Sequence, residues 1–280
     1  MVEDFRVEYE SSGFVKLLRA AEHFHSLEAE VDYWNSNNRL LAPTRQNVSD
    51  PSELEIFIPD TPKIPTLRWS NRFGDGVHNL RSSLDVLAYE MCHLDGKTPE
   101  NPKGVYFPIV EQEAKWLERT RHLGSIPQTL LDRIKQVQPW HVADPKRHVL
   151  TLINGLDNLN KHRSTADLFT LPAGLSPEKL RAWPEGKAAE DAWATPWMNV
   201  KYMGPVGSAA EPALWDIDAW PVVHFEGRMA LLGHLQPWLY QETMRIFKYI
   251  TSGEWPLPNN TVSEPSWIEL PSSFEGQANG

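Results

Sequence analysis

The chain has 280 residues, of which 41% are hydrophobic and 23% charged, with a formal net charge of −10. This balance fits one large or two modest globular domains, and it excludes a mainly disordered chain and a dedicated duplex-DNA binder. The single cysteine, Cys92, excludes an intrachain disulfide and a multi-cysteine zinc module, and no apolar run is long enough to cross a membrane. We therefore expect a cytoplasmic protein that needs neither metal nor cofactor.

The N-terminal part of the chain predicts two long helices with a strand between them. Apolar residues at helical spacing, such as Leu17 and Phe24, predict the first helix over residues 13–35. Acidic and apolar residues alternate over residues 53–58, which is typical of a short strand. The second helix is predicted to begin between residues 66 and 76 and to continue to residue 93.

The rest of the chain predicts shorter helices and one region of strands. Helical composition or periodicity extends over residues 111–122, 126–137 and 145–164. Short runs broken by Gly and Pro predict a small antiparallel sheet over residues 166–227. Residues 228–250 are predicted to be helical again.

These elements together predict a mainly α fold, a helical bundle of about five helices with a small inserted antiparallel β-sheet. We expect residues 1–254 to form a single helical domain with the β insertion, and residues 255–280 to form a Pro/Ser-rich C-terminal tail.

The second predicted helix carries a polar stripe beside its apolar one. His78, Arg81, Ser82 and Asp85 are separated by three, four and seven residues, so they share a face. An ordinary interpretation is an Arg81–Asp85 pair one turn apart with a histidine that is satisfied locally. The alternative is a site in which His78 and Arg81 act catalytically and Asp85 binds.

The helix predicted over residues 145–164 ends in another polar cluster. Basic residues in a last turn are favoured by the helix dipole, which accounts for them without a functional role. Asparagines in an otherwise apolar helix are harder to explain by propensity. We therefore predict that His78 or Arg81 lies within reach of this cluster, with His162 as a second catalytic candidate and Asn158, Lys161 and Arg163 as binding candidates. A third cluster on the first helix, Lys16, Arg19 and His23, is interpreted as a solvated basic face.

A resemblance supports the outline of the fold. The chain contains, in this order, the stretches GDGVHNLRSSLDVLAYEM, YFPI, QPW and LDNLNKHR. In these it resembles a widespread group of uncharacterised bacterial proteins that share a G-D-x-x-H-N-L-R-S-A-L-D-H-L helix and a later N-x-D-K-H-R helix end. Ser83, Val86 and Asn160 replace the usual Ala, His and Asp, which argues against a catalytic histidine at 86 or an essential carboxylate at 160. The resemblance implies no activity.

More remotely, the arrangement resembles HEPN domains, helical bundles whose nuclease members carry an Arg, four to six residues and then a His on a helix. Arg72 and His78 are separated by five residues, although Asp75 and two glycines in the gap depart from the usual helical interior. This resemblance makes Arg72 a binding candidate for phosphate.

Two functions from different classes remain open. The first, slightly favoured, is a non-catalytic binding or interaction protein in which the His, Arg and Asn groups form a polar pocket. The second is a HEPN-type metal-independent ribonuclease of a defence or toxin system, in which a histidine is the general base and arginines hold the phosphate. RNA is the candidate partner, membranes and duplex DNA are not expected, and a homodimer is left open.

Overall fold

The computed structural model describes residues 11–38, 40–46, 53–56, 64–162, 168–173, 180–181, 198–201, 213–255 and 263–269. The protein is mainly helical with a small antiparallel sheet, which confirms the predicted fold class. The chain divides into two compact units. The first comprises Met1–Glu28, Leu67–Leu168 and Val222–Gly280, and the second comprises Ala29–Thr66 and Phe169–Pro221.

The described part of the chain contains six α-helices. They are α1 (Ser12–Asn37), α2 (Thr66–Cys92), α3 (Trp116–Thr120), α4 (Gln128–Gln136), α5 (Val149–His162) and α6 (Leu232–Ser252). All of them lie in the first unit except residues 29–37 of α1 and Thr66. None of these helices is long and apolar enough to span a bilayer.

Five predicted helices are confirmed within a few residues, namely α1, α2, α4, α5 and α6. The segment 111–122 was predicted to be helical but contains only the short α3 and a 3-10 turn. Trp116 is buried there, whereas Leu117 is 81% exposed. A longer helix here would bury too little apolar surface to offset the cost of forming it.

The core of the first unit is built from the apolar stripes of its long helices. Full burial of each large apolar side chain stabilises the fold by about 1.5–3 kcal/mol relative to exposure. The fully or almost fully buried members include Leu17, Ala20 and Leu27 of α1, Phe73, Val77, Leu80, Leu84 and Leu87 of α2, Leu150, Ile153 and Leu156 of α5, and Leu235, Leu239, Phe247 and Ile250 of α6.

Long-range side chains complete two helix ends. Glu90 Oε1 accepts the Ser12 N–H at the start of α1 at 3.0 Å, and burial raises the pKa of Glu90. Arg133 donates through Nη1 to the carbonyls of Ile250 and Thr251 in the last turn of α6. A cation at this position is favoured by the helix dipole. The helix then stops at Gly253, whose φ of 79° is left-handed and suits a residue without a side chain.

The second unit is formed around antiparallel strands, of which only Leu168 and the end of the last strand, from Val222, belong to the first unit. They are β1 (Leu40–Gln46), β2 (Glu53–Ile56), β3 (Leu168–Ala173), β4 (Leu180–Arg181), β5 (Met198–Lys201) and β6 (Ala213–Phe225), ordered β5–β2–β1–β6, with β3 and β4 also pairing with β6. Asn35, near the end of α1, binds both backbone groups of Ala219 in β6. The strands predicted within residues 166–227 and at 53–58 are therefore present, whereas β1 was not anticipated.

A hairpin in the first unit corrects the start of the helix predicted over residues 228–250, the rest of which is confirmed as α6. The end of β6 pairs with β7 (Arg228–Leu231), and α6 begins only at Leu232. The turn at Glu226 and Gly227 has positive φ at both residues, the geometry of a tight two-residue hairpin. Strand β7 also pairs with β8 (Ile268–Glu269), so part of the predicted tail joins this unit.

Candidate functional site

His78 on α2 meets Asp157 on α5. Its Nδ1 lies 2.9 Å from Asp157 Oδ1, and the two residues are separated by 79 positions in the chain. The Asp157 side chain is 3% exposed, whereas that of His78 is 43% exposed. An ionised carboxylate can only accept, so Nδ1 donates to it. A buried acid thus holds a solvent-accessible imidazole in one orientation.

Ser82 contacts the other side of the same ring. Its Oγ lies 3.3 Å from His78 Nε2, one helical turn further along α2. The order Ser82–His78–Asp157 is that of a nucleophile, a base and an orienting carboxylate. The N–H groups in the middle of α2 are committed to helical hydrogen bonds, however, and this helix offers no backbone donors for an oxyanion. The contact instead shows that a hydroxyl group can approach Nε2 of His78 to hydrogen-bond distance.

His78 faces a cleft between α1 and α2. The cleft has a volume of about 560 Å³, and its lining residues are Ser12, Val15, Lys16, Arg19 and His23 of α1 with Asp75, His78 and Asn79 of α2. We refer to it as the basic cleft. Within the described residues, no ion pair engages Lys16, Arg19 or His23, and Asp75 is the only acid in the lining.

A glycine allows α1 and α2 to approach each other beside this cleft. A Cβ placed on Gly76 would lie 2.3 Å from Cε1 of Phe24, far inside van der Waals contact. The Phe24 ring occupies that space and stacks on Phe73 with ring centroids 6.0 Å apart. The glycine in the middle of the GDGVHNLR stretch is therefore explained by helix packing, which brings the basic face of α1 next to His78.

Arg81 and Asp85 have a different task from His78. Arg81 Nη1 pairs with Asp85 Oδ1 at 2.6 Å, while Nη2 donates to the Phe107 carbonyl at 3.1 Å. Asp85 Oδ1 also accepts the Phe107 N–H at 2.9 Å. The pair therefore satisfies both backbone groups of one residue in the 105–110 segment, which is neither helix nor strand. We call this network the Phe107 clamp. It gives Arg81 and Asp85 a structural role in the fold. Arg81 does not line the basic cleft.

The remaining predicted site residues are dispersed. Arg72 is half-buried on α2 and is not among the residues that line the basic cleft. Asn158 is exposed. The residue of α5 that contacts His78 is its neighbour Asp157. The side chains of Lys161 and His162, and the whole of Arg163, lie outside the described residues. His78 therefore contacts α5 through Asp157, whereas the predicted approach of His78 or Arg81 to His162 or Arg163 lies outside the described residues.

Two parts of the site were missed by reasoning from sequence. The first is Asp157, which was not singled out within the LDNLNKHR stretch. Its position on the apolar face of α5 is the signal that could have identified it as a buried acid. Lys16, Arg19 and His23 were interpreted as a solvated face; Arg19 is exposed and the other two are half-buried, and all three also line the basic cleft. Elsewhere, Cys92 is buried and its pKa is raised by that burial, which makes it a poor nucleophile.

In the described residues, no three His, Cys, Asp or Glu side chains come together as a metal site. A scan of family models gave no match, and searches of curated proteins and of solved structures found no similar chain. The resemblances to the bacterial group and to HEPN domains therefore stay predictions.

Proposed function

We propose that the protein binds a phosphate-bearing ligand in the basic cleft. The observation that carries this proposal is the convergence of Lys16, Arg19 and His23 on His78, with Asp75 as the opposing acid. The chain as a whole carries a net charge of −10, so such a local grouping of basic side chains is a departure from its average. A cleft lined by one sign of charge attracts ligands of the other sign.

The side chains suit a phosphate group in particular. Arginine donates several hydrogen bonds in a fixed planar fork, and lysine adds a compact charge. The two lie three residues apart on α1, one turn of the same helix, so one phosphate can reach both. Asp157 holds the His78 ring through Nδ1, which reduces the side-chain entropy lost on binding, and a ligand at Nε2 would take the place of the Ser82 hydroxyl.

A second candidate function is metal-independent cleavage of RNA, and the His78–Asp157 pair is the observation that favours it. An imidazole held by a carboxylate is a suitable general base. In this reaction His78 Nε2 removes the proton of a ribose 2′-hydroxyl, whose oxygen attacks the adjacent phosphorus and expels the 5′-oxygen of the next nucleotide. His23 supplies the proton to that leaving oxygen, while Lys16 and Arg19 stabilise the charge on the phosphorus oxygens. The products are a 2′,3′-cyclic phosphate and a free 5′-hydroxyl.

The two functions are separated by one experiment on binding and cleavage. The probes are inorganic phosphate and a fluorescent single-stranded RNA, each tested with EDTA present. The variant Lys16→Ala/Arg19→Ala should weaken binding of both probes by about tenfold or more, because two cations of the cleft are lost. Lys248→Ala, which removes an exposed lysine of α6 outside the cleft, is the matched control and should bind as wild type.

The fate of the RNA distinguishes binding from catalysis. A catalytic site produces cyclic phosphate ends, which disappear in His78→Ala and when the RNA is replaced by its 2′-deoxy counterpart. A binding site leaves the RNA intact in every variant. Wild-type protein that neither binds phosphate or RNA nor cleaves RNA would overturn both candidates.

A further inference from the structure

A second cavity lies beside the Phe107 clamp. It has a volume of about 460 Å³ and is formed by α2, the 101–109 segment, residues 118–122 and one residue of α5. This size falls in the range of ligand pockets in proteins. We refer to it as the arginine cavity, because Arg81, Arg119 and Arg121 all line it.

Arg81 is the pre-positioned member of the three arginines. Its side chain is 11% exposed and is held by Asp85 and by the Phe107 carbonyl. Those contacts use two of the five N–H groups of a guanidinium. Arg119 and Arg121 are exposed, and within the described residues neither forms an ion pair. Among the described residues that line the cavity, Glu118 is the single acid, so cations outnumber anions there.

The cavity also offers a flat apolar surface and amide groups. Tyr106 is 59% exposed beside the buried Phe107, an unusual position for an aromatic side chain in a polar cavity. Asn101 and Asn154 contribute side chains that both donate and accept hydrogen bonds. Aromatic side chains with arginines are the combination that binds a base together with its phosphate.

We propose that the arginine cavity binds a nucleoside phosphate, either free or as one nucleotide of an RNA strand. Tyr106 stacks on the base, Asn101 and Asn154 bind its polar edge, and Arg81, Arg119 and Arg121 hold the phosphate. The proposal is independent of the basic cleft, since no residue lines both cavities.

The test is isothermal titration calorimetry with adenosine monophosphate, adenosine, inorganic phosphate and a short single-stranded RNA. Two variants address the cavity, Arg119→Glu/Arg121→Glu and Tyr106→Ala. Their matched controls are Lys248→Glu, a charge reversal on α6, and Tyr33→Ala, which removes a tyrosine that is 72% exposed. Arg81 is left intact because it belongs to the Phe107 clamp.

We expect adenosine monophosphate to bind about tenfold or more tightly than adenosine or phosphate, because each of these carries only part of the recognised group. The double variant should weaken that binding by about tenfold, and Tyr106→Ala by about fivefold, while the controls bind as wild type. If only RNA binds and both cavity variants weaken it, the source is an RNA strand and the proposal stands.

Three results would overturn the proposal. The first is that neither the nucleotide nor the RNA binds. The second is that, in the Lys16→Ala/Arg19→Ala background, inorganic phosphate binds as tightly as the nucleotide, which would leave Tyr106 without a role. The third is binding that is lost in Lys16→Ala/Arg19→Ala but unchanged in the cavity variants. That outcome would place the ligand in the basic cleft and would leave the proposed function standing.

Discussion

The pH dependence of stability should be dominated at mildly acidic pH by His148. This residue immediately precedes α5, and its Nδ1 accepts the N–H of Leu150 in the first turn at 3.3 Å. Burial and the nearby His141 lower the pKa of His148 from 6.5 to about 4. A proton on this ring would also remove the acceptor and place a positive charge at a helix N-terminus, which the dipole disfavours.

The sign and size of the effect follow from this pKa. The folded pKa lies below the unfolded one, so the folded state is fully favoured above pH 6.5 and loses stability as the pH falls toward 4. Between about pH 7.5 and about pH 5 the unfolded chain gains a roughly thirtyfold advantage in proton binding, which lowers the free energy of unfolding by about 2 kcal/mol. Asp144, Glu242 and Glu264 line the same cavity as His148 and would reduce the loss where they remain ionised.

Urea unfolding at several pH values measures this loss directly. His148→Asn keeps a side-chain acceptor for the helix N-terminus but does not titrate, so its stability should fall by about 2 kcal/mol less than that of wild type over the same range. His25→Asn, at a histidine whose side chain is 85% exposed, is the control and should retain the wild-type slope. Parallel curves for wild type and His148→Asn would refute the reasoning, because all other titrating groups are common to both.

Two further predictions concern packing and the buried ion pair. Gly76→Ala should lower the free energy of unfolding by about 1–2 kcal/mol despite the better helix propensity of alanine, because the new Cβ displaces Phe24. Gly233→Ala, where nothing lies within reach of the new Cβ, should leave the protein as stable or make it more stable in the same thermal melts. Arg81→Ala should lower the free energy of unfolding by about 2–4 kcal/mol in urea, because it removes the guanidinium that pairs with the half-buried Asp85 carboxylate and donates to the Phe107 carbonyl. A loss below about 1 kcal/mol would show that the Arg81–Asp85 pair behaves as a surface pair.

Local pattern was sufficient for the long helices and for the polar stripe of α2. Apolar side chains recurring at helical spacing must be buried on one side, so the period alone predicted α1, α2 and α5. The same period placed Arg81 and Asp85 one turn apart, and the structure pairs them. Short elements carry less information: β7 was predicted as helix because four residues do not distinguish the two periods.

The sequence by itself determined which faces of the helices are apolar and which side chains stand beside them, because those properties depend on residues within a few turns. Only the tertiary structure decided what each face meets. The buried partner of His78 is Asp157, 79 residues away, and the basic face of α1 borders the cleft because Gly76 admits Phe24. Periodicity specifies that a face is buried, whereas the identity of its neighbour depends on how complementary side-chain shapes pack between distant segments.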